Sequence, residues 1–297
     1  MLAMVLRVPG PTATALGVTW VRALYTSLPP PLGIVTDSLA FKLVPAPLAA
    51  VARAAGAGFG VSGRATHAVL ARLTAGMTTN IALRTAAIDD AIRRGLERGA
   101  GQLVLLGSGL DARAWRMPEL RGVDVYELDR PSSHAYKKRR IGLRQGATAV
   151  HRLVDIDFER QRVPKVLAAA GFDMSRPSIW LWEGVAVYLT RAAADATLDA
   201  VSRCSATDST LIATYTRPNL GLGRRPSLHW RLAARAIGEP VRGETSTESL
   251  HARLDRRGFD VVCDEGNEEA IRRYWGPEWL SYAAGWERVI EAVRRGS

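Results

Sequence analysis

The stretch that decides the fold is GQLVLLGSGLDARAWRMPELRGVDVYELDRP, residues 101–131. A short apolar run at 103–106 breaks at once into glycines at 107–109, and a second apolar run at 123–128 ends at Asp129. This is the order of a nucleotide-binding βαβ unit: strand, glycine turn, helix, strand, acid. Glycines let the backbone approach a ligand that a Cβ would block. A carboxylate at the end of the second strand can hold both hydroxyls of a ribose.

The charge of the glycine turn distinguishes between two kinds of cofactor. Residues 107–112 read G-x-G-x-x-A, a pattern that dinucleotide-binding enzymes also use. Asp111 would repel a pyrophosphate seated on this turn. It would not repel S-adenosylmethionine, which carries an ammonium and a sulfonium and no phosphate. If Asp111 points toward the ligand, the turn favours S-adenosylmethionine over NAD.

Composition and charge narrow the class of protein. A chain of 297 residues can form one large domain or two small ones, and 47% hydrophobic residues is ordinary for a globular protein. The formal net charge is +11, and nearly all of the cations are arginine because lysine occurs only at 42, 137, 138 and 165. Such a charge is compatible with a nucleic-acid partner. No aromatic residues interleave with the basic run 137–140, so we expect arginine spread over solvated helices and no nucleic-acid partner.

Several other classes are excluded on residue counts and spacing. Two isolated cysteines, Cys204 and Cys263, favour a reducing compartment over a disulfide framework. No HExxH or CxxC spacing is present, so no metal site is expected. No apolar run approaches the roughly 20 residues that span a bilayer, and the N-terminus has no clear signal-peptide pattern. We expect a cytoplasmic protein without a membrane segment, and the oligomeric state stays open.

Alternating helices and strands predict a doubly wound α/β fold with a mostly parallel, Rossmann-like sheet. The predicted strands are 103–106, 123–128, 149–156, 178–181, 209–215 and 258–263. The segment 287–294, ERVIEAVR, fits either a C-terminal helix or a closing antiparallel strand.

We predict one domain made of four segments. Residues 1–80 form an N-terminal helical cap. Its first part, to about residue 36, is punctuated by proline and threonine, with an extended bend at Pro29-Pro30-Pro31, and a helix start is expected at 36–38. Residues 81–216 form the cofactor-binding core, and 217–257 an inserted lid or substrate segment. Residues 258–297 form the C-terminal end of the sheet.

Acidic residues end three neighbouring predicted strands. Glu127 and Asp129 end the second strand, Asp157 follows the third, and Glu183 follows the fourth. Because ligands of such sheets bind at the carboxyl ends of the strands, these acids can line one crevice.

Four motifs resemble the leucine carboxyl methyltransferase-like family of class I S-adenosylmethionine-dependent methyltransferases. They are RTAAIDD at 84–90, LGSGLDARAWR at 106–116, YELDRP at 126–131 and WEGVAVYLT at 182–190. They occur in order and cover about residues 80 to 190. The resemblance implies a methyltransferase fold with S-adenosylmethionine as cofactor.

The resemblance also implies a role for each site residue. Arg84 would reach the methionine carboxylate of the cofactor and an acceptor carboxylate, and Glu183 would face the methionine ammonium. The glycine turn would give close backbone approach, Asp129 would hold the ribose with Glu127 as second candidate, and Asp157-Phe158 would flank the adenine, with Asp155-Ile156 as the alternative. The candidate cofactor-binding residues are Arg84, Gly107, Ser108, Gly109, Asp111, Glu127, Asp129, Asp157, Phe158 and Glu183, and the candidate catalytic residues are Arg84 and Tyr188.

Structural roles compete with some of these assignments. Arg84 could instead pair with Asp89 or Asp90 on its own helix. Tyr188 and Trp182 could be core aromatics.

The function that these patterns favour is O-methylation of a carboxylate on a small molecule or peptide. A carboxylate is ionised at neutral pH and needs no general base, and the sequence nominates none. A guanidinium such as Arg84 could clamp it with two hydrogen bonds. The alternatives are methylation of a natural-product hydroxyl, an NAD-dependent oxidoreductase, and a basic binding module without catalysis.

Overall fold

The computed structural model describes residues 12–57, 63–142, 150–158, 160–218, 242–283 and 287–296. Its strands are β1 (Gln102–Leu106), β2 (Asp124–Asp129), β3 (Val150–Asp155), β4 (Ser178–Trp182), β5 (Thr210–Thr216), β6 (Phe259–Gly266) and β7 (Glu287–Arg294). Its α-helices are α1 (Ala13–Ser27), α2 (Ala40–Leu43), α3 (Ala46–Gly56), α4 (Gly63–Leu73), α5 (Met77–Glu97), α6 (Arg113–Arg116), α7 (Pro131–Ile141), α8 (Val163–Ala169), α9 (Arg191–Cys204), α10 (Thr247–Asp255) and α11 (Asn267–Tyr274). Short 3-10 helices follow α6, β4 and α11 at Pro118–Leu120, Ala186–Tyr188 and Pro277–Tyr282.

The seven strands form one sheet in the order β3-β2-β1-β4-β5-β7-β6. Strands β1 to β5 pair in parallel, and β7 pairs antiparallel with β5 on one side and β6 on the other. The predicted α/β fold with a mostly parallel sheet is confirmed. The ambiguous segment 287–294 is the antiparallel strand.

Both faces of the sheet are buried, which explains why its central strands read as continuous apolar runs. Val104 and Trp180 pack on the face covered by α8 and α9, whereas Leu105 and Leu181 pack on the face covered by α5. Every residue of β1, β4 and β5 is buried. The core therefore holds the strand ends, and the loops after them, in fixed positions.

The N-terminal cap differs from the sequence prediction at its start. Residues 13–27 form the helix α1, where no individual helix was predicted; Thr12 caps it by accepting a hydrogen bond from the backbone N–H of Ala15 at 3.3 Å. The prolines of the predicted extended bend, Pro29 to Pro31, follow this helix. Arg22 of α1 donates to the carbonyl of Leu110 at 2.6 Å, so the cap packs directly on the glycine turn.

The predicted lid is only partly within the described residues, since 219–241 lies outside them. Its last part contains α10, which packs on β6 and binds α9 through Arg253 to Asp195 at 2.8 Å. Arg257, two residues after α10, binds Asp199 of α9 at 2.7 Å. The helix α10 belongs to the layer covering the sheet. The division into four segments stays a prediction.

None of the helices in the described ranges is both long and apolar enough to cross a bilayer.

Candidate active site

The helix α5 carries Arg84 to the edge of the sheet where the parallel strands end. Arg98, the residue directly after this helix, donates to Thr210 at the start of β5 at 3.3 Å. The first half of the helix reaches residues that follow β4 or begin the antiparallel β7. Arg84 therefore lies at the edge where ligands of open α/β sheets bind.

Arg84 is buried, and two carboxylates already occupy most of its donors. Its Nε donates to Oε1 of Glu183 at 3.1 Å, and its Nη1 donates to Oε1 and Oε2 of Glu287 at 3.1 and 3.0 Å. Burial would lower the pKa of Arg84, but Glu287 and Glu183 together raise it above its ordinary value. The alternative pairing of Arg84 with Asp89 or Asp90 is wrong.

One nitrogen of Arg84, Nη2, makes no hydrogen bond to any described residue. It lies beside Gly184, where a Cβ added to the glycine would stand 3.6 Å from it. Gly184 has φ +67°, a conformation that glycine adopts without cost. With Nε and Nη1 engaged, a two-pronged clamp on a ligand carboxylate would require release of Glu183 or Glu287. The clamp expected from the sequence is therefore reduced to a single nitrogen.

Glu183 bridges two arginines. Its Oε1 accepts from Arg84, and its Oε2 accepts from Nη1 of Arg113 at 2.9 Å. Burial would raise the pKa of Glu183, but Arg113 and then Arg84 outweigh burial and hold it below its ordinary value. The residue after β4 is therefore an ionised carboxylate, as a contact to a ligand ammonium requires.

Asp111 does not present its charge to a ligand. It is buried, its Oδ1 accepts from the backbone N–H of Arg113 at 2.7 Å, and its Oδ2 accepts from the Arg113 guanidinium. Burial would raise the pKa of Asp111, but Arg113 and Arg22 lower it far below its ordinary value. Because Arg113 neutralises Asp111, the sequence argument that this charge repels a pyrophosphate is wrong. The assignment of Asp111 as a cofactor-binding residue stays a prediction.

Arg113 is the centre of this ion network. It is 1% exposed, and its Nε donates to Oδ1 of Asp89 at 2.7 Å in addition to its bonds with Asp111 and Glu183. Arg116, one turn further along, donates to both oxygens of Asp89 at 2.7 and 2.8 Å. The network ties α5, the glycine turn and the end of β4 into one unit.

The two acids of β2 have different surroundings. Asp129 is half-buried at the strand end, where its Oδ2 accepts from the backbone N–H of Gly109 at 2.5 Å and its Oδ1 from that of Arg130 at 2.6 Å. Glu127 is fully buried and bonds to Lys137 and, at 2.8 Å, to His151. Only Asp129 is accessible to a ribose, so the structure argues against Glu127 as its second candidate.

The loop after β3 separates the two adenine-binding alternatives. Ile156 is 1% exposed, and Asp155 bonds to Nδ1 of His134 at 2.7 Å. Phe158 is 40% exposed, and the Asp157 side chain is about half exposed. The Asp155 side chain is itself 61% exposed, so the acids do not separate the alternatives. Burial of Ile156 and exposure of Phe158 favour Asp157-Phe158.

The glycine turn has features that fit a ligand. Gly107 has φ +72°, and a Cβ there would lie 2.7 Å from Cγ2 of Val185, so a side chain at this position would strain the backbone and clash with Val185. Ser108 is 8% exposed, and its buried Oγ has no hydrogen-bond partner among the described residues. An unpaired buried hydroxyl is uncommon in a folded protein, and a bound ligand is one way to satisfy it.

The aromatic residues near the site have mixed roles. Trp182 is 4% exposed and belongs to the core, in agreement with the alternative given for it above. Tyr188 is half-buried in the 3-10 helix Ala186–Tyr188 and contributes to the raised pKa of Arg84. It lies next to the candidate site, and its catalytic role stays a prediction.

Three residues of this site were missed from the sequence: Asn80, Arg113 and Glu287. Asn80 lies one turn before Arg84 and donates its amide to Glu287. Arg113 lies in the motif 106–116, and nothing in the sequence indicated that it pairs with Glu183, 70 positions away. Glu287 lies in the segment whose secondary structure was ambiguous, so its position could not be deduced.

Structural comparison supports the fold. A provisionally named methyltransferase from Thermobifida fusca aligns over 98% of this chain and 97% of its own, with a TM-score of 0.56 and 16% identity. A DUF574 family protein from Streptomyces avermitilis aligns over 76% and 88%, with a TM-score of 0.57 and 11% identity. Identities this low show a shared fold and nothing further.

Sequence comparison finds relatives in mycobacteria. A protein of Mycolicibacterium vanbaalenii, provisionally named an S-adenosyl-L-methionine-dependent methyltransferase, is 44% identical over 140 residues, 47% of this chain. One of the same name from Mycolicibacterium paratuberculosis is 34% identical over 270 residues, 88% of this chain and 83% of the relative. The chain spans about half the length of the Mycolicibacterium vanbaalenii and Mycolicibacterium gilvum relatives, 46% and 52%.

A family profile gives the assignment. The profile described as leucine carboxyl methyltransferase matches residues 15–202, which include α5, the glycine turn, β2 and the loop after β4. The resemblance inferred from the four motifs is thereby confirmed, and the chain belongs to the leucine carboxyl methyltransferase family of S-adenosylmethionine-dependent methyltransferases.

Proposed function

We propose that this protein transfers the methyl group of S-adenosylmethionine to a carboxylate oxygen of a small molecule or peptide. The observation that carries the proposal is the pair formed by Arg84 and Glu183 at the carboxyl edge of the sheet. It sets one unpaired cationic nitrogen beside an ionised carboxylate. These charges are complementary to the carboxylate and ammonium of an amino acid.

The chain's own residues account for each part of the cofactor. Asp129 accepts from the ribose hydroxyls, and Asp157 with Phe158 flanks the adenine. Glu183 accepts from the ammonium, Arg84 donates Nη2 to the carboxylate, and Ser108 gains a partner for its hydroxyl. The cofactor supplies a methyl group on a sulfonium, which is a good leaving group.

The ionisation of the acids near the site supports a carboxylate as the acceptor. Burial would raise the pKa of Asp89, Asp111 and Glu183, but arginines lower all three below their ordinary values. Carboxylates held in this way are poor general bases. A hydroxyl acceptor would need a base, whereas an ionised carboxylate needs only alignment with the methyl group.

Binding measurements test the cofactor part of the proposal. Calorimetry with S-adenosylhomocysteine should show one site per chain, and NAD at the same concentration should show none. Binding of NAD without S-adenosylhomocysteine would overturn the proposal in favour of an oxidoreductase. Binding of neither, together with salt-dependent binding of nucleic acid, would support a binding module without catalysis.

The chemistry of the product tests the acceptor. The protein is incubated with methyl-labelled S-adenosylmethionine and either a cell extract or a panel of carboxylic acids and phenols. A methyl ester releases volatile labelled methanol in mild alkali, whereas a methyl ether does not. Label that stays in the product after alkali would contradict the carboxylate assignment and support a hydroxyl acceptor.

A further inference from the structure

Glu287 is the residue outside the matched profile that contacts Arg84 most closely. It begins β7, is 6% exposed, and places both carboxylate oxygens on Nη1 of Arg84 at 3.0 and 3.1 Å. The contact joins residues 203 positions apart in the chain. Asn80 donates to Oε2 of the same carboxylate and so fixes its orientation.

The direction of the Arg84 guanidinium depends on this contact. Glu183 attracts the same guanidinium and already holds Nε. If Nη1 were free, the guanidinium could rotate and place Nε and Nη2 together on Glu183, because that two-pronged geometry is the favoured arrangement for an arginine and a carboxylate. Glu287 holds Nη1 on the opposite side and leaves Nη2 directed toward Gly184.

We propose that Glu287, oriented by Asn80, is a positioning residue that keeps Nη2 of Arg84 available to the carboxylate of the cofactor. This inference rests on the proposed function, since it assigns the ligand of Nη2. It gives β7 a part in cofactor recognition although β7 contributes no cofactor contact of its own.

The chain contains a matched control in Glu291. It lies on the same strand and the same face, is 1% exposed, and pairs with Arg94 at 2.5 Å and with Arg98, both close to the C-terminal end of α5. Glu291 therefore joins β7 to this helix as Glu287 does, but near the opposite edge of the sheet. A variant of Glu291 reproduces the loss of a buried clamp without touching Arg84.

The test compares two ligands by calorimetry. S-adenosylhomocysteine has the amino-acid carboxylate, and 5′-methylthioadenosine has the same adenosine and thioether without the amino acid. Glu287→Gln should weaken S-adenosylhomocysteine about tenfold or more, as loss of a charge-assisted hydrogen bond does, and change 5′-methylthioadenosine less than about twofold. Glu291→Gln should leave the ratio of the two affinities at its wild-type value.

Other outcomes overturn the proposal. Equal weakening of both ligands by Glu287→Gln would make Glu287 a structural clamp only, and no weakening would remove its role altogether. If Glu287→Gln does not fold, Asn80→Ala replaces it, with severalfold weaker S-adenosylhomocysteine and unchanged 5′-methylthioadenosine expected. If wild-type protein binds 5′-methylthioadenosine as tightly as S-adenosylhomocysteine, the amino acid adds no affinity, and the assignment of Arg84 to its carboxylate is refuted. Wild-type protein that binds neither ligand would refute the proposed function as well.

Discussion

At the scale of single residues, the site is a set of buried charges whose partners decide what each can do. Glu127 and Asp129 lie two positions apart on β2. Glu127 is buried in an ion pair with Lys137, whereas Asp129 is accessible to a ligand. The sequence placed both at the edge, because a strand end is visible in the hydrophobic pattern. It could not separate them, because the separation depends on residues of α7 and β3 that meet Glu127 only in the folded chain.

Asp129, the acid that is accessible to a ligand, gives the first prediction. Asp129→Ala should weaken S-adenosylhomocysteine roughly ten- to hundredfold, since charge-assisted hydrogen bonds contribute about 1.5–3 kcal/mol. Calorimetry measures the change, with Asp260→Ala, an exposed acid at the start of β6, as the control. Unchanged affinity in Asp129→Ala would remove the ribose role from this residue.

The unpaired hydroxyl of Ser108 gives the second prediction. Ser108→Ala removes a buried group without a partner among the described residues, so the ligand-free protein should gain about 1 kcal/mol in free energy of unfolding. The same change should weaken S-adenosylhomocysteine roughly fivefold, because the ligand loses a hydrogen bond of about 1 kcal/mol. Urea unfolding and calorimetry on one preparation give both values. A variant that is less stable and binds normally would mean that the hydroxyl already has a structural partner.

Gly107 shows how the structure changes an expectation. From the sequence, a glycine is expected here because a Cβ would block the approach of a ligand. With φ +72° and Val185 only 2.7 Å from where a Cβ would stand, a valine would strain the backbone and clash inside the protein. Loss of binding in Gly107→Val would then report damage to the fold as much as a blocked site.

At the scale of elements, the sheet strands and the longer helices were predictable, and the exceptions have physical causes. The strands β1 and β4 are recognisable as apolar runs because both of their faces are buried. β7 was ambiguous because Glu287 and Glu291, four positions apart, fall on one face in a helix and also in a strand. In the folded chain both glutamates are buried against arginines of α5. α1 was missed because its Thr and Val content lowers its helix propensity. Burial of its residues within the cap stabilises the helix.

The clamp between α5 and β7 gives the third prediction. Glu291→Gln removes a buried charge that two half-exposed arginines share, so the free energy of unfolding should fall by about 1–3 kcal/mol. Chemical unfolding followed by circular dichroism measures it. Glu97→Gln, an exposed glutamate on the same helix, should change stability by less than about 0.5 kcal/mol. Equal effects of the two changes would mean that the clamp contributes nothing.

At the scale of the whole molecule, the predicted sheet is correct, and the ion network that crosses its carboxyl edge is what the sequence did not reveal. The sequence correctly predicted that the motif residues lie at the carboxyl edge of the sheet, because strand ends and glycine turns are local features. Their pairings are not local: Arg84 bonds to residues 99 and 203 positions away. The network carries a dependence on pH that the net charge of +11 does not indicate.

This dependence gives the fourth prediction. The pKa of Glu183 is lower in the folded chain than the ordinary value near 4.3 that it takes when unfolded. Its contribution to stability is therefore complete above about pH 5 and is lost as pH falls through the folded pKa. Below about pH 5, the free energy of unfolding should fall less steeply with decreasing pH in Glu183→Gln than in wild type, and Glu97→Gln should follow the wild-type slope. Parallel curves for Glu183→Gln and wild type would place the acid sensitivity elsewhere.

The strand order also bears on how the protein is made. Among the described strands, β6 pairs only with β7, which joins it to the rest of the sheet, yet β7 is synthesised about 20 residues after β6. At about 5–20 residues per second, the ribosome needs one to four seconds to add those residues. During that interval we expect the nascent chain to hold its glycine turn and parallel strands without β6, and with Arg84 still lacking its carboxylate from β7. Protease protection of stalled nascent chains should therefore reach β6 only after β7 has left the ribosome, and capture of the cofactor should come at the same stage.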